Sequence, residues 1–341
     1  MPQLPQVAAS GDVWGANLNN FLKQLQNGTT GAINHAATRP NPTGLTDGFT
    51  MIDTTTREII KWNGTGWDVL MGGLDKGREK LSSNKNIYIN GTSGDDNNDG
   101  LTAATAFKTL ERSVVAVYSY DLSNFNITIN IAAGTYLGRF DFDAAILGAN
   151  GSSVTIKGAG SGSTTLQINA SFGEGAGLIQ NSTNTIFVTG VKLEAIGSSG
   201  KYLRGLSQYG AGTIQVSNDV NFGNFRVGTN SEHMYADGGR IYISSNYTVS
   251  GGAAKHFTAV LSGHIPTYTS GPFTSIFINN PIFDDFAVSE LGLIVPELFF
   301  TGSASVTSLR ANAFYNGVIG VRSGWPGSAD SQTTGGVVFN Q

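Results

Sequence analysis

A Gly-x-Ile triplet returns five times in the second half of the chain, and this recurrence restricts the fold more than any other feature. It occurs as Gly212-Thr213-Ile214, Gly239-Arg240-Ile241, Gly263-His264-Ile265, Gly292-Leu293-Ile294 and Gly317-Val318-Ile319, at steps of 27, 24, 29 and 25 residues. Phe222, Val249 and Phe273 each follow the isoleucine by eight residues, and Phe300 follows its own by six. Tyr235, Ala259, Val288 and Ala313 precede the last four glycines by four. Three short apolar arms per repeat, separated by Gly, Ser, Thr and Asn turns, are the pattern of a coiling β-solenoid. The step is too short for a four-stranded propeller blade, and the intervening residues lack the helical period of ankyrin or tetratricopeptide units. A β-sandwich explains isolated triplets but not the companion arms that recur with them.

Composition agrees. Glycine is 46 of 341 residues, and charged residues make up only 13%, about half the usual share. The apolar 40% is patterned, which argues against disorder. A net charge of −4 without a dense Lys/Arg run disfavours a nucleic-acid partner. Cysteine is absent, so packing, and association between copies, must do what disulfides do elsewhere. The opening "MPQLPQVAAS" has no basic segment followed by an apolar one, and no apolar run is long enough to span a bilayer. The expectation is a chain made in the cytoplasm without a signal peptide or membrane insertion.

Along the chain, residues 1–27 form an N-terminal segment in which 10–27 read as a helix. Ser10 or Asp12 caps it, and Trp14, Leu18, Phe21, Leu22 and Leu25 share one face. That face folds onto its own chain, or onto other copies or a larger assembly. A linker covers 28–47. A small β-module occupies 48–71, with Trp62 and Trp67 as the core of a tiny domain or as ligand-stacking rings. A second linker covers 72–85. Over 86–126, Ile87 and Ile89 alternate as a strand, and Thr102 or Thr105 leads into a helix with Phe107, Leu110, Val114 and Val117 on one side. Such a helix would cover the unpaired edge of a first coil. Coils fill 127–325; about eight of them, each rising about 4.8 Å, would extend about 40 Å. Residues 326–341 leave the pattern as a tail or cap.

These pieces, in this order, resemble bacteriophage or prophage tail-fibre proteins. "GDVWGANLNNFL" resembles their N-terminal segment, and "TRPNPTGLTDGFTMIDTTTREIIKWNGTGWDVL" the small Trp-pair β-module of fibre shafts. "IYINGTSGDDNNDGLTAATAFKTLERSV" resembles the start of pectate-lyase-like right-handed β-helices of phage tails. "GGRIYISSNYTVSGGAAKHF" and "PGSADSQTTGGVVF" resemble their coils and C-terminus. The resemblance implies an all-β chain with a right-handed parallel β-helix, assembled as a homotrimer. It would attach to a tail or baseplate protein through residues 1–27 and meet a host-surface polysaccharide or lipopolysaccharide with its β-helix. Some relatives cleave polysaccharide and others bind it, so a tailspike-type depolymerase and a purely structural shaft or base stand as alternatives.

The residues bear on chemistry as follows. Asp95, Asn97 and Asp99, followed by Gly100, match the first half of an EF-hand loop and point to Ca2+; the twelfth position is Ala106, so the bidentate glutamate is missing. An Asx-rich turn explains the same residues. Glycoside cleavage needs two carboxyls. Asp284 and Asp285 are the adjacent pair, although consecutive strand residues point to opposite faces. Lys255, His256 and Arg310 stand as singletons, solvated or capping turns, and His233 and His264 share that reading. Glycan stacking would fall to Tyr242, Tyr247, Phe257, Tyr268 or Trp325, of which Tyr268 and Trp325 are the receptor-binding candidates.

Overall fold

The computed structural model describes residues 35–36, 50–53, 58–62, 65, 67–71, 78–149, 151–169, 175–197, 202–227, 230–267 and 274–340. The helix expected over 10–27, Tyr268 and Phe273 lie outside them. The chain divides into two compact units, Met1–Arg78 and Glu79–Gln341.

In the first unit, Thr50–Asp53, Glu58–Trp62 and Trp67–Met71 form an antiparallel meander. The two-residue strand His35–Ala36 joins Thr50–Asp53 in parallel, so the segment expected as a linker over 28–47 carries a strand. Trp62 stands opposite Trp67 across the hairpin, with ring centroids 5.5 Å apart in an edge-to-face arrangement. Trp62 is buried. Trp67 is half-buried against it, so in this four-stranded sheet the Trp62 ring serves as packing rather than as an open stacking surface.

The second unit is a right-handed parallel β-solenoid. One face is a ten-stranded sheet running from Lys85–Ile89 through Ile127–Ile131, Ser153–Gly158, Thr185–Thr189, Thr213–Val216, Arg240–Ile243, His264–Pro266, Leu293–Val295 and Val318–Val321 to Val337–Asn340. A fourteen-stranded sheet supplies two further limbs. One includes Val220–Phe222 and Tyr247–Val249; the other includes Tyr202–Tyr209, Asn230–Asp237 and Ala253–Val260. The long strand Thr274–Glu290 belongs to both, pairing with Tyr247–Val249 at its start and with Ala253–Val260 further on.

The recurrent isoleucines stack. Ile186 lies opposite Ile214, Ile214 opposite Ile241, Ile265 opposite Ile294, and Ile294 opposite Ile319. Arg240 opposite His264 and Ile243 opposite Thr267 set Ile241 beside Ile265. All six isoleucines are fully buried. β-Branched side chains fit this position because each packs on an identical pleat above and below. The preceding glycine has a separate cause. A Cβ built at Gly212, Gly239, Gly263, Gly292 or Gly317 would run into a backbone carbonyl of the coil before it. The triplet therefore couples a corner too close for any side chain to the first residue of the apolar column.

Two companion positions differ from expectation. Phe222 and Val249 do stack, but Ile278 rather than Phe273 follows Val249, and Phe300 pairs with Ile276 one column over. The innermost column before the glycines is Ala236, Ala259, Ser289 and Ala313; Tyr235 and Val288 belong to the neighbouring column with Thr258, in which Thr258 and Val288 are also covered. Turn length explains the slip. Gly263 and Gly317 follow two left-handed residues, Leu261 and Ser262 or Tyr315 and Asn316, whereas Gly239 and Gly292 follow one, Gly238 or Leu291.

The solenoid starts earlier and ends later than its repeats suggest. Glu79–Lys80 pairs with Tyr120–Asp121, and Lys85 lies opposite Ile127, so 79–85 are part of this unit and not linker. Asp330–Gln332 and Val337–Asn340 continue both sheets, where a tail outside the pattern was expected. The helix is Leu110–Tyr118, capped by Thr109 rather than Thr102 or Thr105. The Asp96 carboxylate accepts bonds from the Lys108 and Thr109 amides and the Thr109 hydroxyl, fixing the chain where the helix begins. Phe107 precedes the helix and, with Gly100, closes the open edge of Lys85–Ile89 through Tyr88 and Asn90. The helix packs on Phe140–Phe142 and on Lys85–Ile89, the strands at one end of each sheet.

Replacing Gly263 with Ala should lower stability by about 1–3 kcal/mol, as overpacking does. Gly162→Ala, where an added Cβ meets nothing within 4 Å, should fall within about 0.5 kcal/mol of the parent. Chemical denaturation of the two variants checks this.

Candidate functional site: a charged and aromatic ladder on the outer face

In a parallel in-register stack, residues at one repeat position become neighbours one rung, about 4.8 Å, apart. Like charges there repel and opposite charges attract. On the outward side of one limb, Arg204 lies opposite Glu232, Glu232 opposite Lys255, and Lys255 opposite Asp285, so the sign alternates at each rung. Glu232 is the best covered of the four, at 2% exposure. Its carboxylate receives Arg204 Nε at 2.6 Å, Lys255 Nζ at 3.5 Å and the Thr258 hydroxyl at 3.0 Å. A charge so enclosed is tolerable only because these partners surround it.

Tyrosines flank the ladder. The Arg204 guanidinium lies 3.5 Å from the Tyr235 ring centroid and 5.2 Å from that of Tyr202, and Nη1 donates to the Tyr209 hydroxyl at 2.5 Å. The Tyr209 and Tyr235 rings are 5.7 Å apart. Burial works against the Arg204 charge, but the Glu232 carboxylate together with Tyr209 and Tyr235 raises the guanidinium above its ordinary value. Burial also pushes the Tyr235 phenol well above its ordinary range, against the pull of Arg204. Tyr202 remains exposed. The array sets charged side chains and the exposed ring of Tyr202 side by side at rung spacing.

The residues singled out from sequence fall in several places. Asp284 pairs with Arg226 at 2.8 Å, and Asp285 accepts the Leu309 amide at 3.0 Å while standing next to Lys255 in the ladder. Asp95 accepts the amide and side-chain nitrogens of Asn97; Asp99 accepts the Leu101 amide and the Thr105 hydroxyl. These are Asx-turn contacts. Among the described residues, no group of three or more His, Cys, Asp or Glu side chains could hold a metal ion. Trp325 is not a surface ring. It is buried against Phe257, Phe286 and Phe300, and its indole N–H donates to the Leu298 carbonyl. Tyr247 and Phe257 are likewise core. Lys255 and Arg310 are ion-paired, to Glu232 and Asp330.

His233 and His256 are not turn residues either. Both are fully buried, with Nδ1 atoms 2.8 Å apart. His233 Nε2 contacts the Gly223 carbonyl at 3.2 Å, and the Tyr247 hydroxyl contacts His256 Nε2 at 2.7 Å. A carbonyl only accepts, so His233 Nε2 carries the proton and its Nδ1 accepts from His256. His256 Nε2 then accepts from Tyr247. The rings are neutral: burial lowers His233 to about 3, and burial together with the neighbouring His233 holds His256 well below its ordinary value. Phe222, Phe225, Phe257, Phe283, Phe286 and Phe300 surround them.

No family model, curated protein or solved structure matches the chain. The fold and the outer ladder together define a parallel β-solenoid with a charged, tyrosine-flanked face.

Unfolded histidines take up protons below about pH 6.5, whereas the native His233 does so only near pH 3. Between these values the unfolded state holds more protons, so stability should fall with acidification by up to about 1.4 kcal/mol per pH unit for each imidazole. Ring-proton NMR should show neither His233 nor His256 titrating between pH 8 and pH 4.5 in the folded protein; a midpoint near that of a free imidazole would contradict the network.

Proposed function

We propose that the chain is a tail-fibre subunit of a phage or phage-like particle, whose solenoid holds a host-surface glycan on its outer face. The Arg204–Glu232–Lys255–Asp285 ladder carries this reading: Arg204, Lys255 and Asp285 stand half-buried around the enclosed Glu232, beside the exposed ring of Tyr202. A polysaccharide is itself a repeating chain, and a surface with a fixed rung spacing can engage several of its units at once. The resemblance of the N-terminal segment, Trp-pair module and coils to tail-fibre proteins supports the same reading. Residues 1–27 then serve attachment to a tail or baseplate protein, three copies make the fibre, and the chain resides in the virion tail.

The test uses purified protein with immobilised capsular polysaccharide and lipopolysaccharide from bacterial strains that do and do not adsorb the particle. The parent should retain polymer from the adsorbing strain, and Tyr202→Ser and Lys255→Met should each weaken retention by about tenfold, or about 1.4 kcal/mol. Equal retention by parent and both variants would overturn the placement of the site, and absence of retention on every polymer would overturn the receptor reading.

A further inference from the structure

A second outward feature lies on the ten-stranded face, apart from the ladder. A cleft of about 490 Å³ opens where successive coils turn into that sheet. Gly239 and Gly292 form part of its floor, Arg240 and His264 its wall, and Leu291 and Leu293 its apolar side. Two observations single it out. Arg240 is exposed and, among the described residues, makes no ion pair. His264 Nε2 is enclosed yet has no hydrogen-bond partner, an arrangement that native proteins rarely leave unanswered. Leu291, an exposed corner residue like Leu261 and Tyr315, adds an apolar side to the cleft.

Arg240 and His264 stand opposite each other in register, one rung of about 4.8 Å apart. Side chains of neighbouring rungs on one face can converge on a single carboxylate or phosphate group, the Arg240 guanidinium donating to it and a protonated His264 ring nitrogen donating beside it. No carboxylate lines the cleft among the described residues, so a cation has no counter-charge there and an anion has two donors. We propose that this cleft is a binding site for the oxyanion of a small acidic ligand, a carboxylate or phosphate group held between Arg240 and His264 with the ligand's apolar side against Leu291 and Leu293. The site does not depend on the glycan reading of the ladder, since none of the ladder's residues takes part.

The four histidines of the chain make NMR a direct assay, with His264→Gln assigning the His264 ring resonance by its loss. The full-length protein is titrated with inorganic phosphate, with sodium glucuronate and with glucose as the neutral control. Phosphate or glucuronate should shift the His264 ring signal saturably and move its titration midpoint to higher pH, because a bound anion favours the protonated ring. Arg240→Gln should weaken that binding by about tenfold or more, with unfolding unchanged because the side chain is exposed. Tighter glucuronate binding assigns the site to acidic sugars, and tighter phosphate binding assigns it to phosphorylated ligands. An equal response to glucose, undiminished binding by Arg240→Gln, or no saturable shift with either anion at millimolar concentration would overturn the proposal. Loss of glycan retention by Tyr202→Ser with an intact His264 response would separate failure at one site from failure at the other.

Discussion

The close approach of one coil to the next at the glycine corners is the constraint on which the rest of the solenoid depends. At Gly212, Gly239, Gly263, Gly292 and Gly317 the backbone of the preceding coil lies where a Cβ would be. That contact fixes the point at which each coil enters the ten-stranded face. The next inward residue is then committed to the same column as its counterpart in the coil before. Ile214, Ile241, Ile265, Ile294 and Ile319 are the consequence. Stability in such a stack is close to a sum of nearest-neighbour terms, so a fault at one corner is felt first by the rungs beside it.

In-register stacking has a second consequence. Whatever occupies one repeat position is multiplied along the stack, including charge. The alternation Arg204, Glu232, Lys255, Asp285 turns a source of repulsion into a series of attractions. Inside the coil the same logic applies to polar groups. His233 and His256 occupy adjacent rungs of an otherwise aromatic interior, and each answers the other's hydrogen-bonding requirement, with Gly223 and Tyr247 closing the two ends. A lone imidazole in either place would leave a buried nitrogen unpaired.

The repeat made the solenoid legible because a glycine excluded by sterics and an isoleucine selected by packing recur in tandem. What escaped was the phase of the other limbs. Turns with one or two left-handed residues alternate near the end of the chain, so a fixed count back from glycine reaches Ala259 and Ala313 correctly but lands on Tyr235 and Val288, one residue short of the inward column of Ala236 and Ser289. The ladder was hidden for the same reason. Glu232 and Asp285 lie seven residues before their glycines, Arg204 and Lys255 eight, and no single offset lines them up. Trp325 and the histidine pair misled in another way: aromatic and imidazole side chains suit either a surface or a core, and only the fold shows that these are enclosed. The helix cap was missed because Asp96, which holds Thr109 in place, sits 13 residues away.

Equivalent isoleucines of successive coils lie against one another along the ten-stranded face. Methyl-labelled NMR of the folded protein tests it most directly. The Ile241 δ-methyl should give cross-relaxation with the δ-methyls of both Ile214 and Ile265, one rung away on either side, and none with Ile319. Absence of the two short-range contacts, or an Ile241 methyl accessible to a soluble paramagnetic agent, would contradict the stacked-coil account.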